Sequence, residues 1–344
     1  MNILLLTAHS IAAYDDMRMF HDLGHEVFNL DGYIDPANPH VDMRPPLPQV
    51  PAHPELKAIV DALPTRDPLA TAKEHLPDAL IDWADVIVIH HYTEKWLTPQ
   101  WNRIKHKRVI WRTCGQSDPR LEAVMKPYHQ AGLQIVRYSP KEQPAFEKYG
   151  AFAGQDALIR FGKYPSDWYG WTGKDPVIGN ITQDMVGRGP SCGLDFYLEA
   201  TMGLRAHPAG PRSEALPDGI GALNYDGMRQ YLRDIRVYLY SGTQPASYTL
   251  GLIEAMMTGV PTFSIPPQGM WIPELFEGHE ITLCSYDAEH TRHHLNLFLT
   301  GNQHRNIFGP PEDQRERAIE LFGIETVSAQ WADFLGADSK AIAA

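Results

Sequence analysis

Hydrophobic residues in this chain of 344 residues fall in short runs that are separated by longer, more polar stretches with helical periodicity. Apolar runs at residues 2–7, 86–90 and 108–111 predict buried strands, and amphipathic segments between them predict helices. A strand that is apolar throughout is typical of a parallel sheet covered on both faces. The alternation of strands and helices therefore predicts an α/β fold built on parallel sheets.

The alternation occurs in two halves, joined by a segment rich in Gly, Trp and Tyr at residues 161–172. It predicts two Rossmann-like, doubly wound domains at residues 1–160 and 173–325, followed by a C-terminal helix and tail at 326–344. In such domains, ligands bind at the carboxyl ends of the strands. Residues 205–222, rich in Pro and Gly, predict a long loop.

Composition narrows the class of protein. Hydrophobic residues make up 43% and charged residues 21% of the chain, as in ordinary globular proteins. We expect no membrane span, because no run of eighteen apolar residues occurs. The N-terminal apolar run is too short for a signal peptide and lacks basic residues. Three cysteines far apart favour a reducing compartment, so a cytoplasmic location is expected.

The most informative stretch is residues 236–275. A predicted strand ends in a small polar loop at 241–249, and a helix that begins at about Leu250 carries Glu254. A loop that leads into a helix N-terminus favours anions, because unpaired N–H groups and the helix dipole point at it. Glu254, one turn into the helix, can accept hydrogen bonds from the two hydroxyls of a ribose.

This stretch resembles the nucleotide-sugar site of glycosyltransferases with the GT-B fold, in which two Rossmann-like domains face a central cleft and a C-terminal helix crosses back to the first domain. The matching residues follow the family's order over about 40 positions: Glu254-Ala255-Met256, Gly259, Pro261, Gly269 and Pro273-Glu274-Leu275. One departure concerns the second glutamate that many members carry eight residues earlier, since Ala246 occupies that position. The departure leaves the donor sugar and the stereochemical outcome open.

The resemblance implies that the second domain binds a nucleoside diphosphate sugar, with a UDP-linked donor expected, and no further cofactor. Ser247 and Thr249 would hold the distal phosphate, although Thr249 also fits a plain helix N-cap. Asn180 and Thr182 follow the domain's first strand, where the family has an arginine in place of Asn180. Backbone groups near Tyr225 and its aromatic face would contact the base.

A cation is needed beside the diphosphate, because negative charge develops on the leaving group as the glycosidic bond breaks. Arg188 is the expected catalytic cation, and Arg160 and Lys163 in the crossover segment are the alternatives. For each of the three, a solvated surface charge is the competing interpretation.

In the first domain, His9 and Ser10 follow the first strand and are candidates for acceptor binding. His91, beside His90, ends the strand at 86–90, and Asp15, beside Asp16, lies in the first helix. His91 and Asp15 are the candidate catalytic bases. For each residue, a packing or helix-face role is at least equally compatible with the pattern.

We predict no metal site. The spacing of His290, His293 and His294 places them on one helix face, which can suit a metal, but no further ligand is evident. No Asp-x-Asp triplet occurs. That triplet holds a divalent ion in the other large glycosyltransferase fold, and GT-B enzymes usually need no metal.

Charge is distributed unevenly. The chain has a net charge of −12, yet residues 95–141 contain ten Lys or Arg and only two acidic residues. Residues 95–112, which we call the basic patch, combine basic residues that include Lys105, Lys107 and Arg112 with three tryptophans. Basic charge binds phosphates and aromatic rings stack on bases, so the patch predicts an acceptor site for DNA. The alternative is a solvated helix face with tryptophans in the core.

The expected function is transfer of a sugar to an acceptor hydroxyl. The N-terminal part is similar to glycosyltransferases encoded by actinobacterial tailed phages, which would place the protein in the host cytoplasm. With the basic patch, this similarity favours phage DNA carrying 5-hydroxymethylcytosine as acceptor. A phage structural protein or a host glycan is the alternative acceptor. A sugar-nucleotide epimerase or a non-catalytic sugar-binding module on the same fold is the alternative function.

Overall fold

A computed structural model of the protein describes residues 1–7, 9–30, 44–45, 47–63, 76–90, 93–115, 117–265, 273–276, 283–301 and 311–341. The chain folds into two compact units. Unit 1 contains the described residues up to Gly162 and those from Glu325 onward, and unit 2 contains the described residues from Lys163 to Ile324. No helix among these residues has the length and apolar character needed to cross a membrane.

Unit 1 is a parallel sheet covered by helices on both faces. Its strands are β1 (Asn2–Leu6), β2 (Glu26–Asn29), β3 (Val86–Ile89), β4 (Arg108–Arg112), β5 (Gln134–Arg137) and β6 (Ala157–Leu158), in the order β2-β1-β3-β4-β5-β6. Its helices are α1 (Ser10–Asp22), α2 (Pro54–Asp61), α3 (Asp78–Trp83), α4 (Thr93–Ile104), α5 (Pro119–Gln130) and α6 (Glu142–Glu147). All four residues of β3 are buried, as expected for a strand covered on both faces.

The last helix of the chain packs on unit 1. This helix, Ile324–Ala341 (α13 in chain order), buries Val327, Trp331 and Leu335, which are spaced at i, i+4 and i+8 and form one apolar stripe. Arg108 of β4 donates hydrogen bonds of 2.9 and 3.0 Å to the carbonyls of Phe334 and Leu335. The stripe and these two bonds attach the C-terminal helix to the first sheet.

Unit 2 is a second, smaller parallel sheet. Its strands are β7 (Asp175–Ile181), β8 (Ala206–Ala209), β9 (Ile235–Tyr240) and β10 (Thr262–Ser264), in the order β10-β9-β7-β8. Its helices are α7 (Met185–Arg188), α8 (Leu194–Thr201), α9 (Tyr225–Asp234), α10 (Leu250–Thr258), α11 (Ala288–Leu299) and α12 (Pro311–Phe322), with short 3-10 turns at Gly189–Cys192, Ser213–Ala215 and Pro273–Phe276.

Strand β8 corrects the prediction that residues 205–222 form only a loop. This strand is four residues long, contains Pro208 and has β7 as its one neighbour among the described strands, so it is an edge strand. Proline lacks the N–H that a central strand must donate, but an edge strand tolerates it. The proline that suggested a loop is thus compatible with a strand at this one position in the sheet.

Both sheets have a topological switch point. In unit 1 the chain passes from β1 to β2 and then to β3 on the other side of β1. In unit 2 it passes from β7 to β8 and then to β9 on the other side of β7. Ligands of doubly wound sheets bind outside the carboxyl ends of the strands at such points.

Candidate functional site

In the sheet of unit 2, the backbone pairing between β7 and β9 stops before the carboxyl end of β7. The last backbone pair between β7 and β9 is Gly179 with Tyr238, although β7 continues to Ile181. Beyond that pair, side chains hold the two strands together. The Tyr238 hydroxyl lies 3.1 Å from the Ile181 nitrogen, and Asn180 Nδ2 donates to the Leu239 carbonyl at 2.8 Å.

Asn180 therefore has a structural contact in place of the donor contact that the sequence suggested. Its side chain is fully buried, and its Oδ1 accepts a 2.8 Å hydrogen bond from the Thr182 hydroxyl. With both ends of the amide engaged, Asn180 joins β7 to β9 and orients Thr182. The position at which the family has an arginine lies, in this chain, inside the sheet, and a donor contact by Asn180 stays a prediction.

A small cavity of about 40 Å³ lies at the carboxyl ends of β7 and β8. Thr182, one of the predicted donor residues, lines it together with Gly210, Ala222 and Leu223. Tyr225 is packed close by, with its ring edge-on to Trp168 at 5.7 Å and the Arg229 guanidinium 5.4 Å from the ring centre. Because only 7% of Tyr225 is exposed, its ring faces are used for packing.

Arg188 ends helix α7 in the loop that leaves β7. It is half-buried, and its guanidinium makes no hydrogen bond or ion pair within the described part of the chain. Asp184 begins the same helix and accepts a 2.7 Å hydrogen bond from Arg212 Nε. The hydrogen bond from Arg212 is the main reason that the pKa of Asp184 is lowered, and the charge of Arg188 adds to the effect.

Sequence reasoning missed Arg212. The Arg212 guanidinium lies directly over Gly187, because an added Cβ at Gly187 would lie 1.7 Å from Arg212 Nη2. Arg212 follows β8, in the stretch assigned to a loop, and no local pattern connects it to the turn after β7. The structure thus brings two guanidinium groups, those of Arg188 and Arg212, to Asp184 beside the cavity.

The N-terminus of α10 carries the remaining predicted phosphate residues. Thr249 is the N-cap, and its hydroxyl accepts a hydrogen bond from the Leu252 nitrogen at 3.3 Å. Ser247 is buried. The capping interpretation of Thr249 is thereby confirmed, and a phosphate contact by either hydroxyl stays a prediction.

Glu254 lies one turn into α10 and forms an ion pair with Lys163. The side chains are 1% and 0% exposed, so the pair is removed from water. Lys163 was an alternative phosphate cation, but in this structure its ammonium group contacts Glu254. A ribose would have to share the Glu254 carboxylate with Lys163, and the ribose contact stays a prediction.

In unit 1 a buried cluster lies beside the carboxyl ends of β3 and β4. Asp16 of α1 accepts a 2.5 Å hydrogen bond from Arg112 Nη1. Its carboxylate also lies 3.3 Å from His90 Nε2. Arg112 also donates to the Arg160 carbonyl at 3.1 Å, and its guanidinium lies over the rings of Phe161 and Trp331.

The cluster sets the charge of its members. Burial alone would raise the pKa of Asp16, but Arg112 and His90 outweigh burial and hold that pKa below its usual value. Burial is the main cause that lowers the pKa of His90, and Asp16 only partly offsets it. The cluster therefore contains an ionised Asp16 and, at neutral pH, an uncharged His90.

The predicted acceptor and base residues of unit 1 lie in different environments. His9 is half-exposed and caps α1, with Nδ1 accepting from the Ala12 nitrogen at 3.4 Å. Asp15 is 7% exposed, and its neighbour Asp16 is the residue that contacts His90. His91 and the side chain of Ser10 lie outside the described residues.

A larger cavity, of about 190 Å³, opens at the carboxyl ends of β3 and β4. His90 and Trp111 contribute to its wall from the strands, and Thr93, Ser117 and Leu121 line it from the following helices and loop. Trp111 is otherwise in the hydrophobic core. Cys114, in the loop after β4, lines the same cavity.

The basic patch does not form one surface. Arg112 is fully buried in its pair with Asp16, and Trp96 and Trp111 are 1% and 2% exposed core residues. Lys105 is exposed and Lys107 is half-exposed, both in the turn before β4. That turn is at the amino edge of the sheet, whereas the cavity is at the carboxyl edge. The prediction that Arg112, Trp96 and Trp111 face DNA is therefore wrong, whereas Trp101 is half-buried.

The histidines of α11 contact one another and an aromatic ring. The rings of His290 and His294 are 4.4 Å apart, and His294 stacks on Phe263 at 6.3 Å. Burial and the two neighbouring histidines lower the pKa of His294. Among the described residues, no group of three or more His, Cys, Asp or Glu is arranged to hold a metal ion.

The fold is similar over its whole length to glycosyltransferases of known structure. With sucrose-phosphate synthase from Thermosynechococcus elongatus, the TM-score is 0.67 at 15% identity over 99% of each chain. With Anabaena HepE in complex with UDP-glucose, it is 0.67 at 14% identity over 98% of this chain and 100% of that chain. With a glycosyltransferase from Rickettsia africae, it is 0.62 at 9% identity over 97% and 98% of the chains.

Identities this low establish the fold alone. No protein-family model and no curated protein matches the sequence. The chain therefore has the GT-B fold, as the sequence resemblance implied, and its chemistry has to be argued from its own residues.

Proposed function

We propose that the protein is a glycosyltransferase that moves a sugar from a UDP-linked donor to an acceptor hydroxyl. The observation that carries the proposal is the carboxyl edge of unit 2, where Thr182 and Gln183 line a cavity and the same loop continues to Arg188, whose half-buried guanidinium makes no hydrogen bond or ion pair among the described residues. A cation for a diphosphate at the carboxyl ends of the strands, beside a topological switch point, is what a doubly wound domain offers a nucleoside diphosphate. The structures of Anabaena HepE with UDP and with UDP-glucose support a UDP-linked donor by analogy of fold.

Each donor residue has a distinct proposed role. Thr182 and Leu223 border the base, and Arg188 stabilises the charge that develops on the departing diphosphate. The N-terminus of α10, with Ser247 and Thr249, faces the phosphates. Glu254 accepts hydrogen bonds from the ribose while it keeps its ion pair with Lys163.

For the acceptor, we propose the cavity of about 190 Å³ in unit 1. His90 contributes to its wall and is uncharged at neutral pH, so one ring nitrogen can accept a proton. Asp16 lies 3.3 Å from Nε2 and fixes the orientation of the ring, and Arg112 keeps Asp16 ionised. His90 and Asp16 thus take over the roles that the sequence assigned to His91 and Asp15.

DNA with 5-hydroxymethylcytosine, suggested by the basic patch and by the similarity to phage enzymes, is a weaker acceptor proposal. Lys105 and Lys107 lie at the sheet edge opposite the cavity, and Arg112 is buried. A structural protein or a glycan needs no such basic surface.

The proposal is tested by incubating the protein with a panel of UDP-sugars and a panel of glycans, proteins and hydroxymethylated oligonucleotides. UDP release and the mass of each acceptor are both measured. A transferase adds a sugar mass to one acceptor and releases UDP in proportion. Conversion of the UDP-sugar without acceptor would identify an epimerase, and binding without conversion would identify a sugar-binding module. Either of these two results would overturn the proposal.

A further inference from the structure

We infer that the cavity of unit 1 is a subsite for a single sugar ring, so that the acceptor is a carbohydrate. This inference rests on the proposed function and adds the substrate class. Drug-sized ligands occupy pockets of about 300–1,000 Å³. A cavity of about 190 Å³ is smaller and suits one ring with its hydroxyls.

The wall of the cavity combines the two kinds of surface that a sugar presents. Trp111 and Leu121 supply an apolar wall for the C–H face of a ring. Thr93, Ser117 and His90 supply groups that donate or accept hydrogen bonds at the ring's edge.

The charges around the cavity balance. Glu94 and Asp118 are acidic, and Lys95 and Arg120 are basic. Arg120 Nη2 lies 3.1 Å from Glu94 Oε2, so part of the basic charge is already neutralised within the protein. Nucleic acids bind where several basic groups neutralise phosphates. A balanced wall favours an uncharged polyol over a phosphodiester chain.

At this wall, one buried nitrogen of His90 has neither a hydrogen bond nor an ion pair among the described residues, whereas the other lies 3.3 Å from Asp16. His90 is 1% exposed, and its Nδ1 has no hydrogen-bond partner in the part of the chain that the structure describes. A buried polar atom without a partner is unfavourable, because it has given up its hydrogen bond to water without gaining another. A hydroxyl of a bound sugar would supply the missing hydrogen bond.

Cys114 offers a direct measure of occupancy. It is half-exposed and lines the cavity, whereas Cys192 and Cys284 are buried. The rate of alkylation by iodoacetamide is measured at each cysteine by peptide mass spectrometry, with methyl glycosides of glucose, galactose, mannose and N-acetylglucosamine as probes. At ten times its dissociation constant, a bound glycoside should slow alkylation of Cys114 about tenfold. Alkylation of Cys192 and Cys284 should stay negligible, which excludes unfolding.

The inference is wrong if no glycoside protects Cys114, or if an oligonucleotide with 5-hydroxymethylcytosine protects it and the glycosides do not. A UDP titration of the same sample separates the two proposals. UDP binding without protection by glycosides would reject the sugar subsite and keep the donor site, whereas absence of UDP binding would reject the proposed function.

A cavity-filling variant gives a second, independent test. Cys114→Phe should abolish transfer to a glycan while UDP affinity changes less than twofold. Ala131→Phe adds the same ring at an exposed position after α5 and should leave transfer intact. Equal transfer by the wild type and Cys114→Phe, with Cys114→Phe folded by thermal melting, would overturn the inference.

Discussion

Lys163 donates a hydrogen bond to Glu254 across 91 residues of sequence, and neither side chain reaches solvent. Lys163 is the first described residue of unit 2, and its backbone bonds to Phe322 and Ile324. The pair therefore joins the start of the unit to helix α10, which the sequence predicts to be the donor helix. It also means that changes to Glu254 act on stability, whatever their effect on donor binding.

Glu254→Ala should lower the free energy of unfolding by about 3–5 kcal/mol, because it leaves the Lys163 ammonium buried without its partner. Urea denaturation measures the change. The double variant Lys163→Met with Glu254→Leu removes both charges and should recover most of the loss. A loss of less than about 1 kcal/mol in the free energy of unfolding of Glu254→Ala would show that water reaches the ion pair.

A second buried cluster predicts a dependence of stability on pH. Glu142 of α6 accepts a hydrogen bond from the Thr113 hydroxyl at 2.7 Å, but Arg137 is already bonded to Glu122 at 2.6 and 2.8 Å. Arg137 is 3.8 Å from Glu142 Oε1. Burial raises the pKa of Glu142 to about 7, and Arg137 only partly opposes the effect.

The folded protein therefore keeps a proton that the unfolded chain releases above pH of about 4.5. Its stability should fall as the pH rises from about 4.5 to 7, by up to about 3 kcal/mol, and then level off. Urea denaturation of the wild type and of Glu142→Gln across this range isolates the contribution. If the difference in the free energy of unfolding between the two proteins does not change with pH, Glu142 ionises normally and the prediction is wrong.

Much of the fold could be predicted from the sequence, because apolar strands such as Val86–Ile89 and the helix with Glu254 carry strong local signals. The partners of the buried charged side chains could not be predicted from the sequence. The contact of Arg112 with Asp16 spans 96 residues, so Arg112 was indistinguishable from its exposed neighbours. Whether Asp15 or Asp16 faces His90 depends on the rotation of helix α1 against the sheet, which no residue pattern specifies.

Arg188→Ala should reduce turnover by about a hundredfold and affect donor affinity less, because the charge on the leaving group grows toward the transition state. Steady-state kinetics with the cognate UDP-sugar separates the two constants. Arg212→Ala is the comparison, and its effect should be smaller because Asp184 already neutralises that guanidinium. A change in the Michaelis constant for the UDP-sugar alone would show that Arg188 binds the donor but does not stabilise the transition state.

Reversing Lys105 and Lys107 to Glu should change neither transfer nor melting temperature. Both lysines lie at the amino edge of the first sheet, and exposed charges contribute little to stability. Transfer rates of the double variant are measured with a glycan and with a hydroxymethylated oligonucleotide. Loss of activity confined to the oligonucleotide would restore the DNA interpretation of the basic patch.

The most direct test of the account is a calorimetric titration of UDP into the wild type and two tryptophan variants. Ala222 is exposed and lines the cavity of unit 2, so Ala222→Trp should fill that cavity without disturbing the core. Ala58→Trp places the same side chain at an exposed position on α2. The account predicts that UDP binds the wild type and Ala58→Trp equally and that Ala222→Trp loses at least tenfold in affinity. No UDP binding by the wild type, or equal affinity in all three proteins, would contradict it.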